Sequence, residues 1–380
     1  MSLRVSDWKM VGLTLSEVGP FRSGKREFSF IGETAPADAD PGSSPGPSNL
    51  YMLLAPNGMG KTTVMESIHG LFGLMADPVA GRFSNPRHGG AAQLDVRASW
   101  EIDGASQTVL LSIWTGADAP LKFWTEDQIA DQVQAEGWVR LGLTSGLQGP
   151  IVLPGTDDLG RRLFTTIREG QSDKTRSLTD EPSLLPTVLY FPADRSLVAP
   201  QGERVVIPPE DWGYSPVYRF GHDGPEWRTT VDSLFVWLEW LGEENVKPFL
   251  DRVSRHVFED ESGKTILRPE RAELTTYVAT RDGPHPLAGL SHGERALLQM
   301  FGRIFSYSTS NTIVLIDEIE LHLHTRWVNR MFRELKAMLV DKPGVSLFFS
   351  THDRELIKTF DYENPEVGLT KGGFLIDEMN

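Results

Sequence analysis

Apolar and polar positions alternate in short runs over residues 3–31. Leu3, Val5, Trp8, Met10, Leu13 and Leu15, then Phe28, Phe30 and Ile31, supply the apolar side. Gly19-Pro20 and Ser23-Gly24 punctuate these runs, so the spacing predicts β-strands joined by turns. Residues 34–48 are rich in Pro, Gly, Ala, Ser and Asp and predict a loop that buries little. Leu50-Tyr51-Met52-Leu53-Leu54 is continuously apolar, as in a buried strand. A helix is predicted over 62–75, with Val64, Ile68, Leu71 and Phe72 on one face. A loop with Pro78, Gly81, Pro86, Gly89 and Gly90 should fill 76–92. Strand alternation returns over 93–102 and 107–114, and the Asp103-Gly104 pair between them signals a hairpin.

Periodicity is weakest over 115–185, which read as an insertion with one short helix near 127–136. A buried strand follows at 187–191, then a loop-rich stretch over 199–228. Leu234, Phe235, Trp237, Leu238 and Leu241 give 229–241 an amphipathic helical pattern, and a second helix fits 246–258. Short strands fit 265–268 and 273–280, before a turn at Arg281-Asp282-Gly283-Pro284. From Ser291 the pattern is helix to 307, strand 312–316, helix 325–339, strand 345–349, helix 354–360 and strand 373–376. Such alternation predicts an α/β fold with a parallel sheet. There is no internal repeat and no heptad run, so a long coiled-coil arm is not expected. The organisation expected is an N-terminal lobe (1–114), an insertion and helical region (115–286) and a C-terminal lobe (287–380).

Composition narrows the partners. The net charge of −15 argues against a chain that coats nucleic acid non-specifically, though not against a local basic groove. With no cysteine, disulfides, thiol chemistry and a Cys-X-X-Cys zinc hook are excluded. No apolar run reaches the ~18–20 residues of a membrane helix, and the start lacks a signal-peptide core. The expectation is a cytoplasmic protein with no membrane partner.

Four stretches carry chemistry. Ala55-Pro56-Asn57-Gly58-Met59-Gly60-Lys61-Thr62-Thr63 follows a strand and opens a helix. Small residues let backbone N–H groups turn inward around phosphate oxygens, with the helix N-terminus behind them. Lys61 would reach the β- and γ-phosphates, and the Thr62 hydroxyl would ligate Mg²⁺. Ile313-Val314-Leu315-Ile316-Asp317-Glu318 puts two carboxylates at the tip of a buried strand, where open parallel sheets bind ligands. Asp317 would hold Mg²⁺, and Glu318 would orient and activate the attacking water. Leu290-Ser291-His292-Gly293-Glu294-Arg295 contains a capping box, Ser291 with Glu294. It is a well-capped helix start on one reading. On the other, Ser291, Gly293 and Glu294 belong to a nucleotide site, with Ser291 and the Gly293 N–H facing a γ-phosphate. His352, one strand–helix unit after Asp317-Glu318, is the candidate γ-phosphate sensor, with imidazole as donor to a phosphate oxygen.

Together these residues resemble the ABC-type ATPases, and within them the RecF/SMC-like and OLD-like class, including the AAA_21-type ATPases of bacterial defence systems. More than half of the chain lies between Lys61 and Ser291, unlike a compact transporter motor. Glu320-Leu321-His322-Leu323-His324 looks like the Glu-x-His-Leu-His-Pro segment of OLD-like ATPases, with Thr325 in place of Pro. Tyr190-Phe191-Pro192-Ala193-Asp194-Arg195 resembles the strand end at the Q-loop position of RecF-like proteins. The likeness covers 1–75, 187–195 and 285–380. It departs at Ala55 for Gly, at His292 for the first Gly of Ser-Gly-Gly, and in lacking a Q-loop Gln.

The resemblance implies a P-loop NTPase fold of ABC type, ATP and Mg²⁺ as cofactors, and hydrolysis to ADP and phosphate with Glu318 and His352 as catalytic residues. It implies an ATP-dependent homodimer in which Ser291 serves the nucleotide of the other copy. His324 falls at the interface D-loop beside His322; a metal site there is the other reading of the pair. Phe21 or Arg22 would touch adenine, or Phe21 is an ordinary aromatic plug. Activity on DNA or in anti-phage defence is one expected role, with a separately encoded effector such as a nuclease, because little chain follows His352. An ATP-dependent scaffold that assembles a complex without acting on DNA is the alternative. Arg326, Arg330, Arg333 and Lys336 line one helix face, and Arg161, Arg162, Arg168, Lys174 and Arg176 form a second basic group. The helix face would read a phosphate backbone or a partner's acidic surface, or is a solvated face; the second group is a further basic candidate.

Overall fold

Two six-stranded sheets sandwich the phosphate-loop helix in the computed structural model, which describes residues 3–376 apart from 34, 41–44, 77–89, 103, 148, 173–182, 196–212, 222–229, 243–245, 322 and 361–365. In chain order the N-terminal part runs β1 (Leu3–Val18), β2 (Phe21–Ser29), β3 (Leu50–Leu54), α1 (Lys61–Gly73), β4 (Ala91–Ile102) and β5 (Ala105–Thr115). The middle holds α2 (Glu126–Gln128) with a π-turn Ile129–Val133, then β6 (Trp138–Gly146), β7 (Gly149–Val152), α3 (Asp158–Ser172), β8 (Pro186–Phe191) and β9 (Val217–Arg219). It continues with α4 (Val231–Trp240), α5 (Val246–Val257), β10 (Thr265–Ile266), β11 (Tyr277–Ala279) and β12 (His285–Pro286). The C-terminal part is α6 (His292–Tyr307), β13 (Asn311–Ile316), α7 (Thr325–Asp341), β14 (Ser346–Thr351), α8 (Arg354–Thr359) and β15 (Lys371–Leu375).

The core sheet has the order β15-β3-β14-β13-β8-β9, and every pairing in it is parallel. Its strands are buried along their length because both faces are covered, which is why they read as continuous apolar runs. Successive side chains alternate between two cores. Leu50, Met52, Leu189, Phe191, Val314, Ile316, Leu347 and Phe349 face α4–α7. Tyr51, Leu53, Val188, Tyr190, Ile313, Leu315 and Phe348 face α1 and the second sheet. That sheet has the order β2-β1-β4-β5-β6-β7 and is antiparallel except where β5 meets β6. A third, antiparallel sheet, β10-β11-β12, is small.

Several expectations change. The short runs over 3–31 form two long strands, β1 carrying register shifts at Val5/Asp7 and Met10/Gly12 that keep its apolar side inward. The stretch 115–185 is not irregular: β6 and β7 extend the second sheet, and α3 buries Leu163, Phe164 and Ile167. Within 199–228, β9 adds an edge strand to the core sheet. The strand expected over 273–280 shrinks to Tyr277–Ala279, after a turn in which Leu274 takes φ 51°. The loop expected over 76–92 lies almost wholly outside the described residues, as do His322, Lys174 and Arg176. Among the described residues no helix is long and apolar enough to cross a membrane.

Candidate active site

The phosphate loop connects β3 to α1, and its glycines are dictated by geometry. Gly58 and Gly60 sit at φ 81° and 99°, where a side chain is strained. A Cβ on Gly60 would also stand 2.5 Å from Phe21 Cζ. Ala55, in contrast, is buried and absent from the positive-φ residues, so Gly is not needed there and that departure costs nothing. Asn57 and Gly58 are exposed in the crook of the loop, Met59 packs partly on the core, and Thr63 lies under the Gly19 turn. Lys61 is buried and folds back over the loop, its Nζ donating to Ala55 O at 2.7 Å and Pro56 O at 3.4 Å. Phe21 is buried beneath the loop and stacks edge-on to Phe28. That packing fits the aromatic-plug reading. Arg22 bonds Gly19 O at 3.0 Å.

Parallel pairing of β13 between β8 and β14 brings the acidic tip to this loop. Thr62 Oγ1 donates to Asp317 Oδ2 at 2.5 Å, although the two residues are far apart in sequence. Ser350 Oγ donates to the other oxygen, Oδ1, at 2.5 Å, and accepts the Glu318 N–H at 2.8 Å. Asp317 is fully buried, so both its oxygens are positioned by hydroxyls. Glu318 takes φ 49°, a strained conformation for a glutamate and one that turns the chain sharply after β13.

Arg195 explains how that turn is held. Its guanidinium is buried and donates to Asp317 O at 2.5 Å, Glu318 O at 2.7 Å and Pro192 O at 3.0 Å. Burial pulls its pKa down to about 10, against the upward pull of Asp317, Glu320 and Glu318. Arg195, in the segment expected at the Q-loop position, is thus a buried cation that clamps the acidic tip. Arg219, from β9, adds a second tie: it pairs with Glu66 of α1 at 3.7 Å and with Asp194 at 3.5 Å. Neither arginine stood out in the sequence, although the strand-end segment 190–195 did.

His352 follows β14, half-exposed, and pairs with Glu320: Oε1 accepts its backbone N–H at 2.7 Å and lies 2.9 Å from Nδ1. Nδ1 faces that carboxylate, so the expected donation to phosphate would fall to Nε2. On the other helix start, Ser291 and His292 are exposed while Gly293 and Glu294 are buried. The capping box is complete, Ser291 Oγ accepting Glu294 N–H at 3.3 Å and Glu294 Oε2 accepting Ser291 N–H at 3.0 Å. Glu294 Oε1 also holds Lys264 Nζ at 2.7 Å. Burial would raise the Glu294 carboxyl, but Lys264 and Ser291 outweigh it and hold it below its usual range. The Glu294 carboxylate thus serves the cap and Lys264. A Cβ on Gly293 would overlap the Trp327 ring, so packing demands glycine there. His292 occupies the first helical position, where a side chain is free to point outward. The structure gathers Lys61, Thr62, Asp317 and Glu318 into one site, with His352 reached through Glu320. Ser291, Gly293 and Glu294 form a separate cluster with Lys264 and Trp327.

Hard oxygen donors suit Mg²⁺. Thr62 Oγ1 and Asp317 Oδ2 face each other at the phosphate loop, which is the donor pair a nucleotide-borne ion needs. Among the described residues no group of three or more His, Asp or Glu is arranged to hold a metal by itself.

Residues 227–358 match a family model described as "AAA domain, putative AbiEii toxin, Type IV TA system" (AAA_21). Over those residues the chain is similar to that family. No curated protein matches the chain. Among solved structures, an SMC head bound to the C-terminal winged-helix domain of ScpA is similar at 12% identity and TM-score 0.40, over 92% of this chain and 91% of that one. The ABC transporter component cbiO1 from Clostridium perfringens is similar at 11% identity and TM-score 0.34, over 92% and 80%. An SMC head domain with an extended coiled coil, bound to the C-terminal domain of ScpA and derived from Pyrococcus furiosus, is similar at 11% and TM-score 0.37, over 93% and 91%. The residues matched by the family model include α6, the acidic tip and His352, while the phosphate loop lies outside them.

Proposed function

We propose that this protein binds ATP with Mg²⁺, hydrolyses it, and pairs with a second copy of itself around the nucleotide to drive or gate a separately encoded effector. The observation that carries the reading is the Thr62–Asp317 contact at 2.5 Å, which joins the phosphate loop to the acidic tip and leaves Glu318 adjacent. Asn57–Thr63 cradle the phosphates, and Lys61 neutralises charge on the transferred group. Thr62 and Asp317 hold Mg²⁺, whose chemistry is charge neutralisation at the phosphates. Glu318 orients the attacking water and takes its proton, while His352 senses the γ-phosphate. The exposed Ser291 completes the site of the second copy, with the α6 N-terminus behind it.

The family description names a putative toxin of a type IV toxin–antitoxin system, which is in keeping with a defence role. The expected basic helix face gives DNA less support. Arg326 and Arg330 pair with Glu259 at 2.8 and 3.4 Å, Arg333 with Glu334 at 3.2 Å, and Lys336 with Glu366 at 2.7 Å. Those cations are matched within the chain, which favours a protein effector or an assembly role over a phosphate backbone. Glu318→Gln, which keeps the site's shape but removes its base, is expected to accumulate as a dimer with ATP and Mg²⁺, read as mass in solution. A strictly monomeric result under those conditions overturns the composite site.

A further inference from the structure

Glu320 lies two residues beyond Glu318, and its side chain is 11% exposed. One oxygen, Oε1, accepts the backbone N–H of His352 at 2.7 Å and lies 2.9 Å from ring Nδ1, an ion-pair distance. The other, Oε2, is buried and has no hydrogen-bond partner among the described residues. Holding a carboxylate out of water with one oxygen unmatched is costly. The contact it keeps is with a ring that is 51% exposed and would otherwise turn freely. The backbone on either side of that ring is already fixed. Thr351 ends β14, and Asp353 Oδ1 caps α8 by accepting the N–H groups of Glu355 and Leu356 at 2.8 and 2.9 Å. The freedom left to His352 is ring orientation and proton position, and Glu320 sets both.

A carboxylate accepts and does not donate, so Nδ1 carries a proton in either charge state of the ring. We propose that Glu320 is a positioning residue that locks His352 with Nδ1 protonated and leaves Nε2 as the atom that meets the nucleotide. The uncharged ring then offers Nε2 as an acceptor to the attacking water, and the charged ring offers it as a donor to phosphate. The same turn carries Glu318, and the Ile319 N–H between the two glutamates bonds Ser350 O at 3.1 Å. The base and the sensor are thus set by one rigid segment. This inference rests on the reading of His352 as the γ-phosphate sensor.

The test is the ¹⁵N spectrum of the full chain labelled at histidine, taken at mildly alkaline pH where an ordinary imidazole is neutral. His352→Ala identifies the His352 signals. The wild type is expected to show the Nδ1–H form, and Glu320→Ala the Nε2–H form that an unconstrained imidazole favours. Glu320→Ala should also lose at least about tenfold in kcat, the size typical for outer partners of functional histidines, with KM for ATP unchanged. Glu320→Gln, whose amide oxygen accepts the same two N–H groups, should keep the Nδ1–H form and recover most of kcat. An Nε2–H pattern in the wild type overturns the proposal, even where Glu320→Ala does not fold. Unchanged His352 signals in a folded Glu320→Ala do the same. Normal hydrolysis by His352→Ala would instead overturn the sensor reading, and the spectrum would still decide the tautomer on its own.

Discussion

Gly293 is held to glycine by packing. The helix start needs room for Trp327, whose ring a Cβ on Gly293 would overlap, and in the proposed function the same glycine would let the backbone approach a γ-phosphate. Overpacking of this kind costs about 1–3 kcal/mol. Gly293→Ala is therefore expected to lower the urea midpoint, and trimming the ring with Trp327→Leu should restore most of that loss in the double variant. A double-mutant cycle measures the coupling, since residues in contact depart from additivity. If Gly293→Ala proves as costly without the Trp327 ring as with it, packing is not what glycine serves. Departures from the family pattern also resolve at this scale. Ala55 tolerates a Cβ because its backbone is not left-handed, whereas Gly58 and Gly60 do not. Where the family pattern expects a Q-loop Gln, Arg195 holds the carbonyls of Asp317 and Glu318 instead.

At the level of elements, the two large sheets are joined by more than apolar contact. Lys9, on β1, is buried and donates through Nζ to Pro343 O at 2.5 Å, Val345 O at 3.5 Å and Ser346 Oγ at 3.3 Å, at the start of β14. Burial lowers its pKa from 10.5 to about 8, with Asp7 pulling upward and Arg97 downward. Between those two values the unfolded chain holds more proton than the folded one, so stability rises as pH climbs from about 8 towards 10.5. Lys342, also lowered to about 8 by burial, adds a second step of the same sign. Lys9→Met should flatten part of that rise, measured as urea midpoints across the window; an unchanged slope would show that Lys9 is not desolvated in solution.

Elements that carry motifs are legible because their cues are local: an apolar run, then Gly or paired carboxylates, then a capped helix. Elements of the middle are not, because their pattern is set by non-local cover. Gln93, Asp95 and Ser112 look like solvent-facing strand positions but are buried. They bond one another, with Gln93 Nε2 to Asp95 Oδ1 at 2.8 Å and Ser112 Oγ to the same oxygen at 2.5 Å. Trp124, Ile129 and Val133, from the stretch that lacked a clear pattern, pack with Val11 and Leu110 on the outer side of the sheet. β9 spans three residues in a Gly- and Pro-rich stretch and is a strand only because the β8 edge awaits a partner. The same non-local logic hides Arg195 and Glu320, whose meaning appears only when β8, β13 and β14 are set side by side.

For the whole molecule the decisive question is whether one chain contains a complete site. Lys61, Thr62, Asp317 and Glu318 converge, and His352 joins them through Glu320, while among the described residues the exposed Ser291 bonds only within its own helix cap. If the γ-phosphate contact comes from a second copy, two inactive variants should rescue each other. Lys61→Ala removes the phosphate lysine and keeps Ser291. Ser291→Arg keeps the lysine and blocks the contact offered in trans. Each protein alone should hydrolyse no ATP. In a mixed dimer, one of the two sites receives intact Lys61 from one copy and intact Ser291 from the other. Random pairing of equal amounts in a symmetric dimer then gives about a quarter of wild-type turnover per chain. Recovery should vanish on dilution below the dimer's dissociation range. A mixture as inactive as its components, with both variants shown to dimerise, would mean that each site is completed within its own chain. A Ser291→Arg protein that hydrolyses ATP normally would reduce the α6 start to the helix cap that its capping box already makes it.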